Sequence, residues 1–244
     1  GIRAGLAPGS GFHLTEYFAP VLGVMHVDTL EDAIEAVNEV DYGLTSGLHT
    51  LDTEELATWL EGIEAGNLYV NRGITGAIVR RQPLGGWKRS AIGSTTKAGG
   101  PSYLLGLGEV EPARETSVGG SAAPEEALDP SVLALCQAAG PHLSADDAAE
   151  LSRAVTADGA AWASEYGANR DVTGMACERN ILRYRATPVL LRAGDGTALA
   201  DVARVLAAGL LAGGPIGVSV AQELPAPLMS VLLAAGVEVS VEDA

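Results

Sequence analysis

The first half of the chain alternates between two hydrophobic periods, which predicts strands separated by helices. Apolar, β-rich runs at 17–27, 44–50 and 67–71 are typical of strands. Between them, apolar residues recur every three or four positions at 30–37 and again at 56–63, as in amphipathic helices. Strands and helices that alternate at this spacing indicate an α/β fold.

Short polar residues mark the beginnings of these two helices. Thr29 followed by Asp32 forms a capping box, in which the Thr oxygen accepts a hydrogen bond from the backbone N–H three residues later. Asp52 gives the second helix an equivalent start, and Gly62 or Gly66 can end it. We therefore expect helices that begin directly after Thr29 and Asp52.

The second half repeats the alternation with longer helices. Its apolar runs predict a parallel β-α-β-α-β unit of the doubly wound type, preceded by two further helices. The segment 112–130 separates the halves, because it has three prolines and a Gly-Gly pair but no periodic apolar pattern. We place one domain at 1–112, a linker at 113–130 and a second domain at 131–244. In the second domain we expect helices at 131–139, 145–166, 198–214 and 226–236, and strands at 186–193, 215–220 and 237–241.

Composition limits the partners that this chain can have. Its formal net charge of −16 argues against nucleic acid or anionic membranes as partners, because both repel an acidic surface. The apolar stretch 205–221 is interrupted by Gly-Gly-Pro, which predicts a helix, a turn and a buried strand rather than a membrane span. Cys136 and Cys177 form neither a metal-ligand spacing nor a disulfide framework. We expect inert, buried or half-buried thiols, no metal site and a cytoplasmic location.

Positive charge is concentrated in one window of this acidic chain. Residues 65–108 contain no Asp or Glu, yet they contain both lysines of the chain. Such a window can raise the local concentration of a small anion, or it can supply surface charges that pair with acidic helices. The cations of the window are Arg72, Arg80, Arg81, Lys88, Arg89 and Lys97.

Glycine-containing segments within that window suggest how an anion could be bound. Thr75-Gly76-Ala77 can turn tightly and direct successive backbone N–H groups at one point, a nest that binds a carboxylate or a phosphate. An ordinary loop can have the same composition. Gly85-Gly86 lets the backbone approach a ligand or another chain segment closely.

Five segments, in order along residues 10–110, resemble the aldehyde dehydrogenase superfamily. Residues 71–86, "NRGITGAIVRRQPLGG", and the later "KAGGP" resemble one branch in particular, the L-glutamate γ-semialdehyde (Δ1-pyrroline-5-carboxylate) dehydrogenases. Members of this branch occur alone or as the second enzyme of proline utilization A, a bifunctional flavoprotein of proline catabolism. The five segments are "TEYFAPVL" (15–22), "YGLTSGLHT" (42–50), "EAGNLYVNR" (64–72), "QPLGGWKRS" (82–90) and "KAGGPSYL" (97–104).

The resemblance implies a fold and a chemistry. The fold is the C-terminal half of an aldehyde dehydrogenase catalytic domain, followed by a Rossmann-like parallel-sheet domain. In this branch a cysteine thiolate attacks the semialdehyde, a hydride passes to NAD+, and water activated by a glutamate releases the product glutamate. Cys136 and Cys177 lack the sequence context of that nucleophile. We therefore expect no catalytic residue here, the cysteine and the glutamate upstream of this chain, and no activity from the chain alone.

The same resemblance assigns binding roles to individual positions. Glu16 is expected to hydrogen-bond the nicotinamide ribose of NAD, and Phe18 to pack near the nicotinamide ring. The backbone N–H groups of Gly76 and Ala77 are expected to hold the α-carboxylate of the substrate. Leu84 is expected to line the aldehyde channel, in a position where relatives often have an aromatic residue.

The second domain resembles the extra, inactive aldehyde-dehydrogenase-like domain of long proline utilization A proteins. It contains no Gly-x-Gly-x-x-Gly and no lysine near Val220-Ala221, so we expect no NAD site at 131–244. We expect it to cover the active domain or an internal channel of the parent protein. FAD would belong only to a proline dehydrogenase domain of that parent, which is absent here. The resemblance also implies a homo-oligomer, paired through strands at 100–112.

Two alternatives to a semialdehyde dehydrogenase of glutamate remain open at this point. The chain could belong to a dehydrogenase of another acid semialdehyde, such as succinate semialdehyde, although the Gly76-Ala77 turn counts against it. It could also be a non-catalytic scaffold or assembly module, because the nucleophile is missing. The leading hypothesis implies the small-molecule semialdehyde and the upstream domains of the same protein as partners.

Overall fold

The structure is a computed structural model that describes residues 1–91, 97–109 and 128–242. The chain divides into two compact units, Gly1–Arg114 and Glu115–Ala244. Helices alternate with parallel strands in both units, which confirms the predicted α/β class. Most of the predicted linker at 113–130 lies outside the described residues, which resume at Leu128.

The described part of the first unit contains three pairs of strands with helices between them. Its elements are β1 (Ile2–Leu6), α1 (Gly11–Leu14), β2 (Leu22–Met25), α2 (Leu30–Asn38), β3 (Tyr42–Gly43), β4 (Thr45–Leu48), α3 (Thr53–Gly62), β5 (Asn67–Val70) and β6 (Trp87–Lys88). Strand β1 pairs in parallel with β2, and β4 pairs in parallel with β5, whereas β3 and β6 are antiparallel. The β4–β5 pair carries the segment that the sequence singles out, because residues 71–86 follow β5 directly.

Both predicted helix starts are confirmed. The Thr29 hydroxyl accepts a hydrogen bond from the Asp32 backbone N–H at 3.1 Å, and α2 begins at the next residue, Leu30. The Asp52 carboxylate accepts the Glu54 N–H at 2.7 Å at the start of α3. These bonds satisfy N–H groups that have no partner within the helix.

Helices α2 and α3 pack together beneath the turn that leads into β5. The Asn38 side chain at the end of α2 donates to the Gly62 carbonyl oxygen at 2.8 Å and accepts from the Glu64 N–H at 2.9 Å. Trp59 and Ile63 are buried there, with 3% and 1% of their surface exposed. This packing fixes the position at which β5 begins.

The second unit is a three-stranded parallel sheet with helices. Its elements are α4 (Pro130–Ala139), α5 (Ala145–Ala161), β7 (Arg170–Asp171), β8 (Ile181–Leu182), β9 (Val189–Ala193), α6 (Leu199–Ala212), β10 (Ile216–Val220), α7 (Ala226–Ala234) and β11 (Glu238–Val241). The strand order is β11-β10-β9, and all three strands are parallel, which confirms the predicted β-α-β-α-β unit. Strands β7 and β8 form a separate, short antiparallel pair.

The second unit has its own hydrophobic core. Leucines from three helices are almost completely buried at its centre, and β10 is buried along most of its length. One ion pair crosses between helices, where Arg204 of α6 contacts Asp158 of α5 with an N–O distance of 2.5 Å. The central leucines are Leu135 of α4, Leu206 of α6, and Leu228 and Leu232 of α7.

Several predicted boundaries are wrong. The strand expected at 17–27 is limited to β2, because Pro20 cannot donate a backbone hydrogen bond and the chain bends at Ala19 and Pro20. The helix expected at 145–166 ends as an α-helix at Ala161 and continues as a π turn over Trp162–Tyr166. The expected strands at 100–112 are replaced, over the described part, by a 3₁₀ helix at Tyr103–Leu107 that follows Gly100-Pro101.

Candidate functional site

The segment that follows β5, residues 73–85, is called the 73–85 loop below. The chain leads into this loop through Asn71, which adopts a left-handed backbone conformation with φ of 55°. Asparagine tolerates this conformation better than most residues. The Asn71 side chain also makes two hydrogen bonds to the Thr50 backbone, at 3.0 and 2.8 Å. The chain therefore leaves β5 in a direction that is fixed by the loop after β4.

Gly76 occupies a backbone conformation that excludes other residues. Its φ is 139°, which L side chains rarely adopt, and a Cβ atom there would lie 3.0 Å from Oε1 of the buried Gln82. The Tyr69 hydroxyl donates a 2.6 Å hydrogen bond to the Gly76 carbonyl oxygen. Thr75, Gly76 and Ala77 themselves form neither a hydrogen-bonded turn nor a bend, so the tight turn predicted there is wrong; the structure fixes the Gly76 carbonyl group through Tyr69.

The backbone amides of Gly76 and Ala77 lie in an exposed part of the loop. Gly76 and Ala77 are both exposed. Across the described part of the chain, no acceptor receives a hydrogen bond from either backbone N–H group. An amide without an acceptor can donate a hydrogen bond to a carboxylate group.

Arg72 brings positive charge to the same segment. Its guanidinium carbon lies 5.4 Å from the centre of the Tyr69 ring, which is a cation–π contact. One of its terminal nitrogens lies 3.5 Å from the position that a Cβ atom of Gly76 would occupy. A bound carboxylate would be attracted by this charge in addition to the backbone N–H groups.

Two other cations of the predicted window are paired with acidic residues of the same unit. Lys88 lies 2.7 Å from a Glu64 carboxylate oxygen and donates to the backbone carbonyls of Asn38 and Val40. Arg89 lies 3.1 Å from Asp41. These two side chains fit the structural interpretation of the window, in which cations pair with acidic surfaces.

Lys97 makes contacts of a different kind. Its ammonium group donates to the carbonyl oxygens of Gly66 and Gly85, at 2.5 and 2.8 Å, and to the side-chain oxygen of Asn67 at 3.0 Å. Burial lowers the pKa of Lys97 to about 8, because the charged form loses solvation. The sequence alone indicates no role for this residue beyond its charge.

The Gly-Gly pair and Leu84 lie where the chain is packed tightly against itself. A Cβ atom at Gly86 would lie 2.4 Å from the Ser90 side chain, and one at Gly66 would lie 1.9 Å from the Gly85 carbonyl oxygen. Half-buried Leu84 makes two backbone hydrogen bonds with Ala98, at 3.1 and 2.8 Å. The close approach predicted at Gly85-Gly86 is therefore made to other segments of this chain.

The expected NAD-binding residues lie after α1 and are exposed. Phe18 has 96% of its surface accessible, and Glu16 is also exposed. No hydrogen bond or ion pair among the described residues joins either of them to the 73–85 loop. Their roles toward NAD therefore stay predictions, as do those of Gly76, Ala77 and Leu84 toward the substrate.

The two cysteines lie in the second unit. Cys136 of α4 is half-buried and packs against the core, as expected. Cys177 is exposed, so the expectation of a buried or half-buried thiol is wrong there. It lies in the segment between β7 and β8. Within the described ranges, no group of three or more His, Cys, Asp or Glu residues could hold a metal ion, and no helix is long and apolar enough to cross a membrane.

Comparison with known proteins assigns the first unit to a class. Residues 2–107 match the model of the aldehyde dehydrogenase family. This part of the chain is similar to that family, and the α/β fold matches a fragment of the aldehyde dehydrogenase fold.

Individual similar proteins show which aldehyde dehydrogenases the chain resembles. The 1-pyrroline-5-carboxylate dehydrogenase of Staphylococcus haemolyticus is 41% identical over 104 residues, which are 43% of this chain and 20% of that protein. Its counterpart from Staphylococcus aureus strain JH1 is 40% identical over the same length. The structure of proline utilization A (PutA) from Corynebacterium freiburgense matches this chain with 36% sequence identity and a TM-score of 0.70. The match covers 100% of this chain and 25% of the PutA chain. The chain thus spans about a fifth of its curated relatives and a quarter of this PutA.

Proposed function

We propose that this chain is part of an NAD-dependent L-glutamate γ-semialdehyde dehydrogenase, which oxidises the semialdehyde to glutamate in proline catabolism. The observation that carries the proposal is the segment at Gly76-Ala77, where both residues are exposed, neither backbone N–H has an acceptor among the described residues, and the Arg72 guanidinium lies close to Gly76. The similarity to 1-pyrroline-5-carboxylate dehydrogenases over 104 residues, and to a PutA over the whole chain, supports it.

The Gly76-Ala77 segment would select substrates by their acidic end. The N–H groups of Gly76 and Ala77 donate to the α-carboxylate, and the charge of Arg72 strengthens both bonds. Half-buried Leu84, near the other end of the 73–85 loop, lines the path of the aldehyde chain. An aldehyde without a carboxylate gains none of these hydrogen bonds.

The residues after α1 suit the cofactor role that we assign to them. The exposed Glu16 offers carboxylate oxygens that can accept from ribose hydroxyl groups, and the exposed Phe18 offers a free aromatic face. NAD+, when bound, supplies the hydride acceptor for the oxidation. The nucleophilic cysteine and the glutamate that activates water belong, in this proposal, to parts of the parent protein other than these residues.

The second unit has a supporting role in this proposal. We assign residues 131–244 to an inactive aldehyde-dehydrogenase-like domain that covers the active domain or an internal channel. The match of the PutA from Corynebacterium freiburgense over all of this chain supports this assignment. The parent protein is then bifunctional, and any FAD belongs to a proline dehydrogenase domain outside this chain. We further propose a homo-oligomeric, cytoplasmic parent.

The proposal is tested with the full-length protein and three aldehydes. NADH formation is followed with L-glutamate γ-semialdehyde, succinate semialdehyde and propanal as substrates. We expect the highest kcat/KM for L-glutamate γ-semialdehyde. A preference for succinate semialdehyde would favour the other acid-semialdehyde dehydrogenase, and no oxidation of any aldehyde would favour a scaffold.

One variant tests this segment directly. Gly76→Ala cannot keep φ at 139°, so both amides are redirected. The loss of a hydrogen bond to a charged group is worth about 1.5–3 kcal/mol, so KM for the semialdehyde should rise roughly tenfold or more. KM for propanal should change little. The control is Gly73→Ala in the same loop, where no atom lies within 4 Å of the new Cβ. Equal effects of Gly76→Ala on both substrates would remove the carboxylate contact at Gly76-Ala77.

A further inference from the structure

Two side chains of β5 support the 73–85 loop at both of its ends. The part around Gly76 is called the first arm and the part at 83–85 the second arm. Asn67 and Tyr69 are separated by two positions, so their side chains lie on the same face of the strand. Tyr69 binds the Gly76 carbonyl oxygen at 2.6 Å on the first arm. On the second arm, Asn67 donates to the Pro83 carbonyl oxygen at 2.8 Å and accepts from the Gly85 N–H at 3.1 Å. The strand therefore sets the separation of the two arms.

Lys97 completes this connection on the second arm. Its ammonium group bonds Gly66 and Asn67 on the β5 side and Gly85 on the loop side. An ammonium group has three N–H donors, and each of them has one acceptor here. The same segment pairs with the loop through the backbone, because Ala98 bonds Leu84 and Gly99 accepts from the Arg80 N–H at 2.9 Å.

The charge of Lys97 is held by dipoles alone. Its three acceptors are two carbonyl oxygens and an amide oxygen, none of which titrates near neutral pH. No carboxylate among the described residues lies within ion-pairing distance of Lys97, in contrast to Lys88 with Glu64. A half-buried ammonium with only neutral partners is a costly arrangement, which indicates a role in fixing the backbone that surrounds it.

We propose that Lys97 is a positioning residue of the binding site, whose ammonium group fixes the Leu84–Gly85 arm to β5 and so sets its separation from the Gly76-Ala77 segment. The effect that we expect on substrate binding rests on the proposed function. A carboxylated aldehyde must reach the Gly76-Ala77 segment and the Leu84 side chain at once. A loosened arm then weakens binding of that substrate more than binding of a short aldehyde without a carboxylate.

The first test measures the backbone and needs no activity. Hydrogen–deuterium exchange is compared for the full-length protein, Lys97→Met and Arg89→Met. Methionine keeps the apolar stem of lysine but removes all three donors. In Lys97→Met, peptides that contain Leu84, Gly85 and Ala98 should exchange roughly tenfold faster, because a hydrogen bond worth about 1.4 kcal/mol changes an opening equilibrium tenfold. Peptides of α3 should be unchanged.

Arg89→Met is the matched control for this test. It also removes one cation from residues 65–108, but the Arg89 side chain is 69% exposed and pairs only with the exposed Asp41. It should leave exchange at Leu84 and Gly85 at the wild-type rate. Wild-type rates in Lys97→Met would overturn the proposal, whatever the enzyme assay shows.

The second test separates positioning from general stability. Lys97→Met should raise KM for L-glutamate γ-semialdehyde about five- to tenfold, with a smaller change in kcat and little change in KM for propanal. Faster exchange with unchanged KM for the semialdehyde would show a structural role only, and would overturn the positioning role. If wild type does not oxidise the semialdehyde, the proposed function fails, and the exchange result still decides whether Lys97 fixes the arm.

A second variant keeps the test decisive if Lys97→Met does not fold. Lys97→Gln retains an N–H donor on a shorter side chain and carries no charge. It should give exchange rates at Leu84 and Gly85 above those of wild type. Unchanged rates in this variant would contradict the proposal in the same way.

Discussion

Tyr69 orients two groups of the candidate site at the same time. Its hydroxyl group holds the Gly76 carbonyl, and its ring face supports the Arg72 guanidinium. Because a peptide group is planar, a fixed Gly76 carbonyl also fixes the N–H of Ala77 on the opposite side. One buried aromatic side chain therefore prepares both the amide and the charge that we assign to the substrate carboxylate.

The hydroxyl group of Tyr69 can be tested separately from its ring. Tyr69→Phe removes the hydrogen bond to Gly76 but keeps the ring beneath Arg72. A hydrogen bond of this kind contributes about 0.5–1.5 kcal/mol, so KM for the semialdehyde should rise roughly two- to tenfold with kcat little changed. Steady-state kinetics on the full-length protein measures this. The control is Tyr103→Phe in the 3₁₀ helix, where the tyrosine is 44% exposed. Equal KM values for the two variants would contradict the role of Tyr69.

Elements of secondary structure follow from local signals in this chain. The caps at Thr29 and Asp52 could be predicted because the donor and the acceptor are at most three residues apart. The parallel sheet β9–β10–β11 could be predicted because each of its strands is a short apolar run next to a segment with helical periodicity. Such features depend on neighbouring residues and little on the rest of the fold.

The cap of α3 gives a prediction at this scale. Asp52→Ala removes the acceptor for the Glu54 N–H, so the free energy of unfolding should fall by about 1 kcal/mol. Urea-induced unfolding of the chain, followed by circular dichroism, measures the change. Asp52→Asn is the control, because its side-chain oxygen can still accept the bond. An equal loss in both variants would mean that the negative charge matters here and the cap geometry does not.

Other elements and contacts could not be predicted from the sequence. The ammonium group of Lys97 bonds Gly66, which is 31 residues away, and nothing local indicates which carbonyl it will reach. The two-residue strands β3 and β6 are too short for a periodic pattern. At Gly85-Gly86 the sequence predicted a close approach, but only the fold shows that the approaching group belongs to this chain. The partners are set by tertiary packing in each case.

At the scale of the whole molecule, the two units differ in their proposed relation to the cofactor. We assign the nicotinamide contacts to Glu16 and Phe18 of the first unit and none to the second unit. The second unit has the parallel topology of a dinucleotide-binding half, but β10 ends at Val220 and the sequence has no lysine near that end. A fold does not by itself define a function, so the absence of an NAD site in the second unit stays a prediction.

Paired substitutions in the two units test this division. Glu16→Ala removes a charge-assisted hydrogen bond to the ribose, so KM for NAD+ should rise about tenfold. Glu223→Ala changes an exposed carboxylate just after β10 and should leave KM for NAD+ unchanged. Both variants of the full-length protein are assayed at saturating aldehyde. A rise in KM for NAD+ with Glu223→Ala would indicate a cofactor contact in the second unit.

The contact between Gly66 and Gly85 has a consequence for natural variation. A Cβ atom at Gly66 would lie 1.9 Å from the Gly85 carbonyl oxygen, so any side chain would push the two segments apart. Gly66 also supplies one of the three acceptors of Lys97. In a saturation-mutagenesis survey scored by enzyme turnover, this position would resemble a reacting residue in its intolerance, although we assign it no contact with the aldehyde. A disabling variant at Gly66 would thus report on the spacing between neighbouring segments.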